Sequence, residues 1–213
     1  MKSGRISAVH QDTKNKHRYH LYVDDEFAFS VHEDILVKYN LLKGAELDEA
    51  FCREILLAEE AHKAYLLALR YLGIRPRTAQ QAIKYLQEKG FSPELAQDIC
   101  ERCKQQGYIN DEAFSKQWVQ ERLRLKPRSS YVLRMELKQL GVAGEIVDEA
   151  VGSISREQEL EAARKLVAKR FRNSDGPPDS ETERKLMAML MRKGFSSSII
   201  QGLRREWREG GLG

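Results

Sequence analysis

Three glycines, Gly90, Gly141 and Gly194, stand 51 and 53 residues apart, and the same apolar pattern surrounds each. Eight residues earlier lie Ala82, Leu133 and Leu186, and four earlier Leu86, Leu137 and Leu190. One residue later come Phe91, Val142 and Phe195, and five later Leu95, Ile146 and Ile199. Thr78, Ser129 and Thr182 stand twelve before, each a residue type whose side chain caps a helix N-terminus. A pattern held in register over three copies constrains the fold more than any single motif, because it fixes one supersecondary unit repeated in tandem.

The physics of the unit follows from the spacing. A second helix runs from the Thr or Ser cap to the glycine, which ends it by taking a positive φ, and the apolar residue after it packs back on the helix. Third helices are expected near Pro93–Gln106, Gly144–Gly152 and Ser196–Trp207. First helices are expected near Glu59–Leu72, Asp111–Leu125 and Arg156–Phe171. Three short helices cannot bury their apolar faces alone, so the units should stack on a shared core, as an elongated, curved array. Between Asn173 and Asp179 the sequence reads as a flexible insertion.

The first 48 residues differ in kind. Arg5–His10 reads as a strand; Tyr19, Leu21 and Val23 alternate with His20 and Tyr22; and Phe27, Phe29 and Val31 resume the alternation after a turn at Asp24-Asp25. A short helix near Asp34–Tyr39 completes a small antiparallel, β-containing subdomain that is too small to stand alone. From Glu49 to Leu72 the chain is rich in Ala, Leu and Glu, without Pro or Gly, and reads as one strong helix. The expected class is therefore mostly α: a tandem array of three three-helix repeats behind a small sheet. The expected divisions are 1–48, 49–110 (helical linker and first repeat), 111–155 and 156–213.

The stretch GYINDEAFSKQWVQERLRLKPRS, from Gly107 to Ser129, carries most of the chemistry. Gly107 can close one helix, Tyr108 follows it, and Asn110 or Asp111 can cap the next. Phe114 and Trp118 lie four apart on one helical face, a spacing that reads as core. Arg122, Arg124, Lys126 and Arg128 crowd the C-terminal end, where cations suit the helix dipole, and Pro127 stops the helix. The first repeat has the same corner, with Pro76 between Arg75 and Arg77; the third has Ser180-Glu181 there instead and offers Arg164, Lys165, Lys169, Arg170 and Arg172 nearby. Stacking is expected to align these cations along one edge.

Charge supports a polyanionic or acidic partner only mildly. Net charge is +4 overall, −2 over residues 1–58 and +6 over the rest. Cys100 and Cys103 form a lone C-x-x-C inside an apolar-periodic helix with no second ligand pair nearby, so they read as buried thiols. His17, His20 and His32 have no metal-ligand spacing, and neither a metal nor a cofactor is expected. No phosphate-binding glycine loop or nucleophile constellation occurs, which argues against an enzyme. A polar N-terminus and the lack of a long apolar run point to a cytoplasmic chain without a membrane span.

These features resemble the RecX family, bacterial regulators of the recombinase RecA. The block from Gly107 to Ser129 resembles that family's most recognisable segment, and LKQLGV beside LQEKGF resembles its repeated helix endings. The segment HRYHLYVDDEFAFSVHEDILVKYNLLKGAEL is similar to the extension of longer, Firmicutes-type members. Ser115 stands where an Ala is more usual. The resemblance implies a non-enzymatic regulator that binds the RecA filament on single-stranded DNA, lies in its groove and lowers its recombinase, ATPase and coprotease activities, with a place in DNA repair and the SOS response. A monomer with weak direct nucleic-acid binding is also expected. On that view Arg75, Arg77, Arg122, Arg124, Lys126, Arg128, Lys169 and Arg170 are the candidate filament contacts.

Two other readings stand beside it. Paired helices such as Ala79–Lys89 and Pro93–Gln106 could imitate a helix-turn-helix DNA-binding regulator, though Glu94, Asp98 and Glu101 give the second helix too much acid to enter a phosphate-walled groove. A general helical protein-interaction scaffold is the third.

Overall fold

A computed structural model describes residues 3–171 and 178–209. Within them lie four strands, β1 (Gly4–Gln11), β2 (Arg18–Val23), β3 (Glu26–His32) and β4 (Glu46–Leu47), and ten helices. The helices are α1 (Glu33–Lys38), α2 (Glu49–Leu72), α3 (Ala79–Glu88), α4 (Pro93–Gln105), α5 (Asp111–Leu125), α6 (Ser130–Gln139), α7 (Gly144–Gly152), α8 (Arg156–Arg170), α9 (Ser180–Arg192) and α10 (Ser197–Arg208). They form two compact units: residues 1–75 with 82–108, and residues 76–81 with 109–213, so the division falls within α3.

In the first unit an antiparallel sheet of order β3-β2-β1-β4 packs on α1 and the N-terminal half of α2. Asp24 and Asp25 both take positive φ, +49° and +62°, the conformation that matches a two-residue turn to the twist of its strands. Leu21, Val23 and Val31 are buried as the alternation requires, but Phe27 is exposed. Pairing slips between Leu21↔Phe29 and Tyr22↔Phe27, and the extra residue of this bulge turns Phe27 to the outer face against Tyr22 and His20. Ile6, Ile35, Leu41, Leu47, Cys52 and Ile55 complete this core. Farther along, α2 packs against α4, and Cys100 and Cys103 are buried cysteines outside any disulfide.

The second unit holds two further cores. Val119, Leu133, Leu137, Val142, Val147, Ala150 and Val151 form one, and α8, α9 and α10 enclose the other around Leu160, Val167, Leu190, Phe195, Leu203 and Trp207. Leu123 packs against both. The repeat spacing is met in the helix ends. Gly90, Gly141 and Gly194 have φ of +91°, +79° and +77°. After each, the backbone N–H of Phe91, Val142 or Phe195 donates to the carbonyl of Leu86, Leu137 or Leu190, at 3.2, 3.1 and 3.1 Å, closing the helix in the expected manner. Gly107, at φ +78°, ends α4 in the same way through Tyr108.

One expected cap is wrong. Thr182 does not start α9; Asp179 does, its Oδ1 accepting the Thr182 N–H at 2.7 Å. Asp is the stronger capping type, and its carboxylate is stabilised by that N–H, which holds it below the usual carboxylate range. The helix therefore begins about one turn earlier than the repeat predicts.

Consecutive repeats are joined by a device that itself repeats. Thr78 Oγ1 donates to the Leu140 carbonyl at 2.6 Å, and Ser129 Oγ donates to the Lys193 carbonyl at 2.7 Å. Each hydroxyl also accepts from its own helix, from Gln81 N–H and Val132 N–H. A carboxylate from the following first helix completes the joint: Asp111 accepts from Ala79 N–H at 2.9 Å, and Glu159 from Ser130 N–H at 3.0 Å. The anchor glycine fits beneath the cap. A Cβ at Gly141 would lie 2.3 Å from Gln80 Cβ, and one at Gly194 2.8 Å from Tyr131 Cδ1.

Candidate nucleic-acid interface

A basic surface of the second unit forms where two first helices end. Asn110 caps α5 by accepting from Ala113 N–H at 2.8 Å, and the helix stops at Lys126 because Pro127 cannot continue it. Arg122 and Arg124 occupy the last turn of α5, as Lys169 and Arg170 occupy the last turn of α8. The negative ends of the two helix dipoles offset part of the repulsion among these cations.

Between these ends and α9 lies a groove of about 640 Å³. Arg124, Lys126 and Arg128 line it from the α5–α6 corner, Lys165, Lys169 and Arg170 from α8, and Lys193 from the end of α9. Among the described residues no carboxylate lines it; its remaining walls are Leu125, Pro127, Leu166 and Met189. Cations set beside apolar patches suit a ligand that carries both charge and flat apolar groups, such as a single nucleic-acid strand or an acidic protein segment.

Five of the candidate filament contacts, Arg124, Lys126, Arg128, Lys169 and Arg170, thus come together, with Lys165 beside them. Three others do not line this groove. Arg122 Nε donates to Glu136 Oε2 at 3.0 Å, and its guanidinium stacks 4.2 Å over the Trp118 ring. That ion pair and stack place Arg122 in the fold of the unit. Arg75 is exposed in the first unit and Arg77 is half-buried in the second, and neither lines the groove built from α5, α6, α8 and α9. Arg164 is held by Glu206, Glu157 and Glu161; its hydrogen bonds to Glu206, then Glu157, push its pKa up and fix it as cationic. Arg172 lies outside the described residues. Sequence reasoning missed Lys193, whose only signal is its place before the third anchor glycine.

The aromatic pair differs from expectation in degree. Phe114 and Trp118 stack at 5.7 Å, but both are only half-buried and flank the second core from outside. Trp118 Nε1 donates to Glu136 Oε2 at 3.0 Å, so one carboxylate ties Trp118 and Arg122, and lies 3.5 Å from Arg128 Nε through its other oxygen. Tyr108 is exposed. Ser115 is fully buried, its hydroxyl donating to the Asp111 carbonyl at 2.7 Å, which explains how a polar residue is accommodated there.

Family models match four segments: the regulatory protein RecX N-terminal domain at residues 4–48, and the first, second and third RecX three-helix domains at 64–103, 110–151 and 157–202. The regulatory protein RecX of Limosilactobacillus reuteri (strain DSM 20016) is 34% identical over 95% of this chain and 76% of its own length. The chain belongs to the RecX family. A RecX protein of Bacillus subtilis (strain 168) is 31% identical over 92% of this chain and 74% of its own length. A crystal structure of regulatory protein RecX superposes with a TM-score of 0.80 at 31% identity, covering 96% of this chain and all of the other. RecX from Lactobacillus salivarius, 21% identical, shares the fold at a TM-score of 0.64 over 71% of this chain and 99% of its own. No helix among the described residues is long and apolar enough to cross a membrane.

Proposed function

We propose that the chain binds the filament of a RecA-type recombinase on single-stranded DNA and restrains it, lowering its ATP hydrolysis, strand exchange and coprotease activity. The groove between the ends of α5 and α8 is the surface assigned to that contact, meeting phosphate or acidic protein. The observation that carries this reading is the gathering of seven cations, with no carboxylate among the described residues, in one groove of a RecX-family chain. The chain acts as a monomer, with its subdomain and repeats divided at residues 48, 110 and 155. It does so without catalysis of its own. Arg75 and Arg77, which flank Pro76 as Lys126 and Arg128 flank Pro127, are further proposed contacts with the filament.

The test compares three targets: naked duplex, naked single strand, and a filament preformed on single-stranded DNA. The proposal expects tight binding to the filament, weak binding to the naked strands, and slowed ATP hydrolysis at substoichiometric ratios of regulator to recombinase. Equal affinity for duplex would replace it with direct DNA regulation. Binding to none of the three would leave a scaffold for another protein.

A further inference from the structure

The basic groove does not involve a cluster of imidazoles in the first unit. His32 ends β3 and caps α1, Asp34 sits in the first turn of α1, and His62 lies midway along α2. Asp34 Oδ2 is 3.4 Å from His62 Nε2 and 3.6 Å from His32 Nδ1, and one ligand atom from each residue lies within 4.8 Å of the others. The two rings face each other at 4.4 Å, tilted by 44°. Around a tetrahedral ion with imidazole nitrogen and carboxylate oxygen at roughly 2.0–2.2 Å, ligand atoms stand about 3.3–3.6 Å apart. The Asp34 separations already match that edge.

The cluster has the chemistry as well as the spacing. Both histidine side chains are largely buried while Asp34 is mostly exposed, so an ion would sit at the mouth of a shielded pocket. His62 Nε2 is buried and has no hydrogen-bond partner, an arrangement that native proteins rarely tolerate without a ligand or other occupant. A cavity of about 530 Å³, lined in part by His17, His32 and His62, leaves room for a fourth ligand. The other nearby carboxylates are already engaged. Glu59 pairs with Arg18 at 2.9 Å and accepts from His32 N–H at 2.7 Å, while Glu33 pairs with His17. Opposing the site, His32 Nδ1 accepts from Asp34 N–H at 3.2 Å, a helix-cap bond that ligation at this nitrogen would displace.

We propose that His32, Asp34 and His62 bind a divalent transition ion of the zinc class, which ties the last strand of the sheet and the start of α1 to α2. Two imidazoles and one carboxylate with an open fourth position favour such an ion over magnesium or calcium, which take oxygen donors. The tie is independent of the basic groove and does not rest on filament binding.

The test uses the full chain, freed of metal by chelation, with zinc(II) in titration calorimetry and cobalt(II) as an optical probe. One equivalent of zinc should bind and raise the melting temperature. Cobalt should give the visible absorption of a four- or five-coordinate ion without thiolate charge-transfer bands, because Cys52, Cys100 and Cys103 are buried thiols elsewhere. Asp34→Asn, at an exposed position that leaves the fold intact, should weaken binding by at least roughly tenfold, and His62→Gln likewise. Far-UV circular dichroism of each metal-free variant checks its fold. Absence of zinc binding at about 100 μM, unchanged affinity in the Asp34→Asn/His62→Gln double variant, or a thiolate band would each overturn the site.

Discussion

Replacing Ser129 by Ala isolates the joint between consecutive repeats. The hydroxyl is fully buried and has two partners: it accepts from Val132 N–H at 3.3 Å and donates to the Lys193 carbonyl, 64 residues away, at 2.7 Å. Losing the first removes a helix cap, about 1 kcal/mol. Losing the second strips a part-buried carbonyl of its donor, about 1–2 kcal/mol more. The total is about 2–3 kcal/mol, a large fraction of the stability of an ordinary domain. Ser92→Ala supplies the comparison, because Ser92 caps α4 by accepting from Leu95 N–H at 3.2 Å, at an exposed site with no cross-repeat bond. It should cost only about 1 kcal/mol. Urea unfolding followed by circular dichroism measures the two, and the fluorescence of Trp118 and Trp207 follows the second unit, where Ser129 lies. If Ser129→Ala costs no more than Ser92→Ala, the cross-repeat bond contributes nothing and the joint is held by packing alone.

Three further outcomes follow from single positions. Gly107→Ala and Gly194→Ala share a φ near +78°, but only at 194 would the new Cβ meet a neighbour, Tyr131 Cδ1 at 2.8 Å. In the same urea assay Gly107→Ala should cost about 1–2 kcal/mol from left-handed strain, and Gly194→Ala at least about 1 kcal/mol more. Trp118→Ala should lower stability by about 2–3 kcal/mol, less than the 3–5 typical of a fully buried aromatic, and a larger loss in thermal melting would mean the ring is more deeply packed than its half-buried position indicates. His62, whose folded pKa lies below 6.5, makes the unfolded chain bind more protons as pH falls, so stability should decline from pH 6.5 downward and level off below the folded value; denaturant titrations across that range should show a shallower decline for His62→Gln.

The repeat was legible because its signal is local and redundant. Every apolar residue at the −8 and −4 offsets is buried, and every anchor glycine has the positive φ that its place demands. What escaped was decided by single contacts. A bulge one residue long carried Phe27 to the wrong face, and Asp179 outcompeted Thr182 for the start of α9. The two-residue strand β4 is too short to show any alternation; it exists because β1 offers it an edge at Gly4 and Arg5. In the candidate interface, cations at helix ends could be read because Pro127 and the last-turn arginines mark the corner. Their partners could not: Arg122 and Glu136 belong to different helices, and only the turn between α5 and α6 brings them to 3.0 Å. Thr78 and Ser129 read as caps, and rightly, but their second bonds reach into the next repeat, where no spacing rule looks. His62 gave no signal at all, since α2 places it beside His32 only once the sheet has packed on that helix.

The most direct test of the proposed function is a salt series of filament affinity for the wild type and the Lys126→Ala/Lys169→Ala/Arg170→Ala variant, whose three substitutions are all at exposed positions in the groove. Exposed charges contribute little to folding, so helical content should be unchanged. If these cations meet phosphate, the variant should bind more weakly at low salt, and its log–log salt slope should be shallower by up to about 2, at roughly 0.7 per lost contact with a single strand. Lost affinity with an unchanged slope would place acidic protein surface in the groove. Affinity and slope both equal to the wild type would contradict the assignment of this groove to the filament.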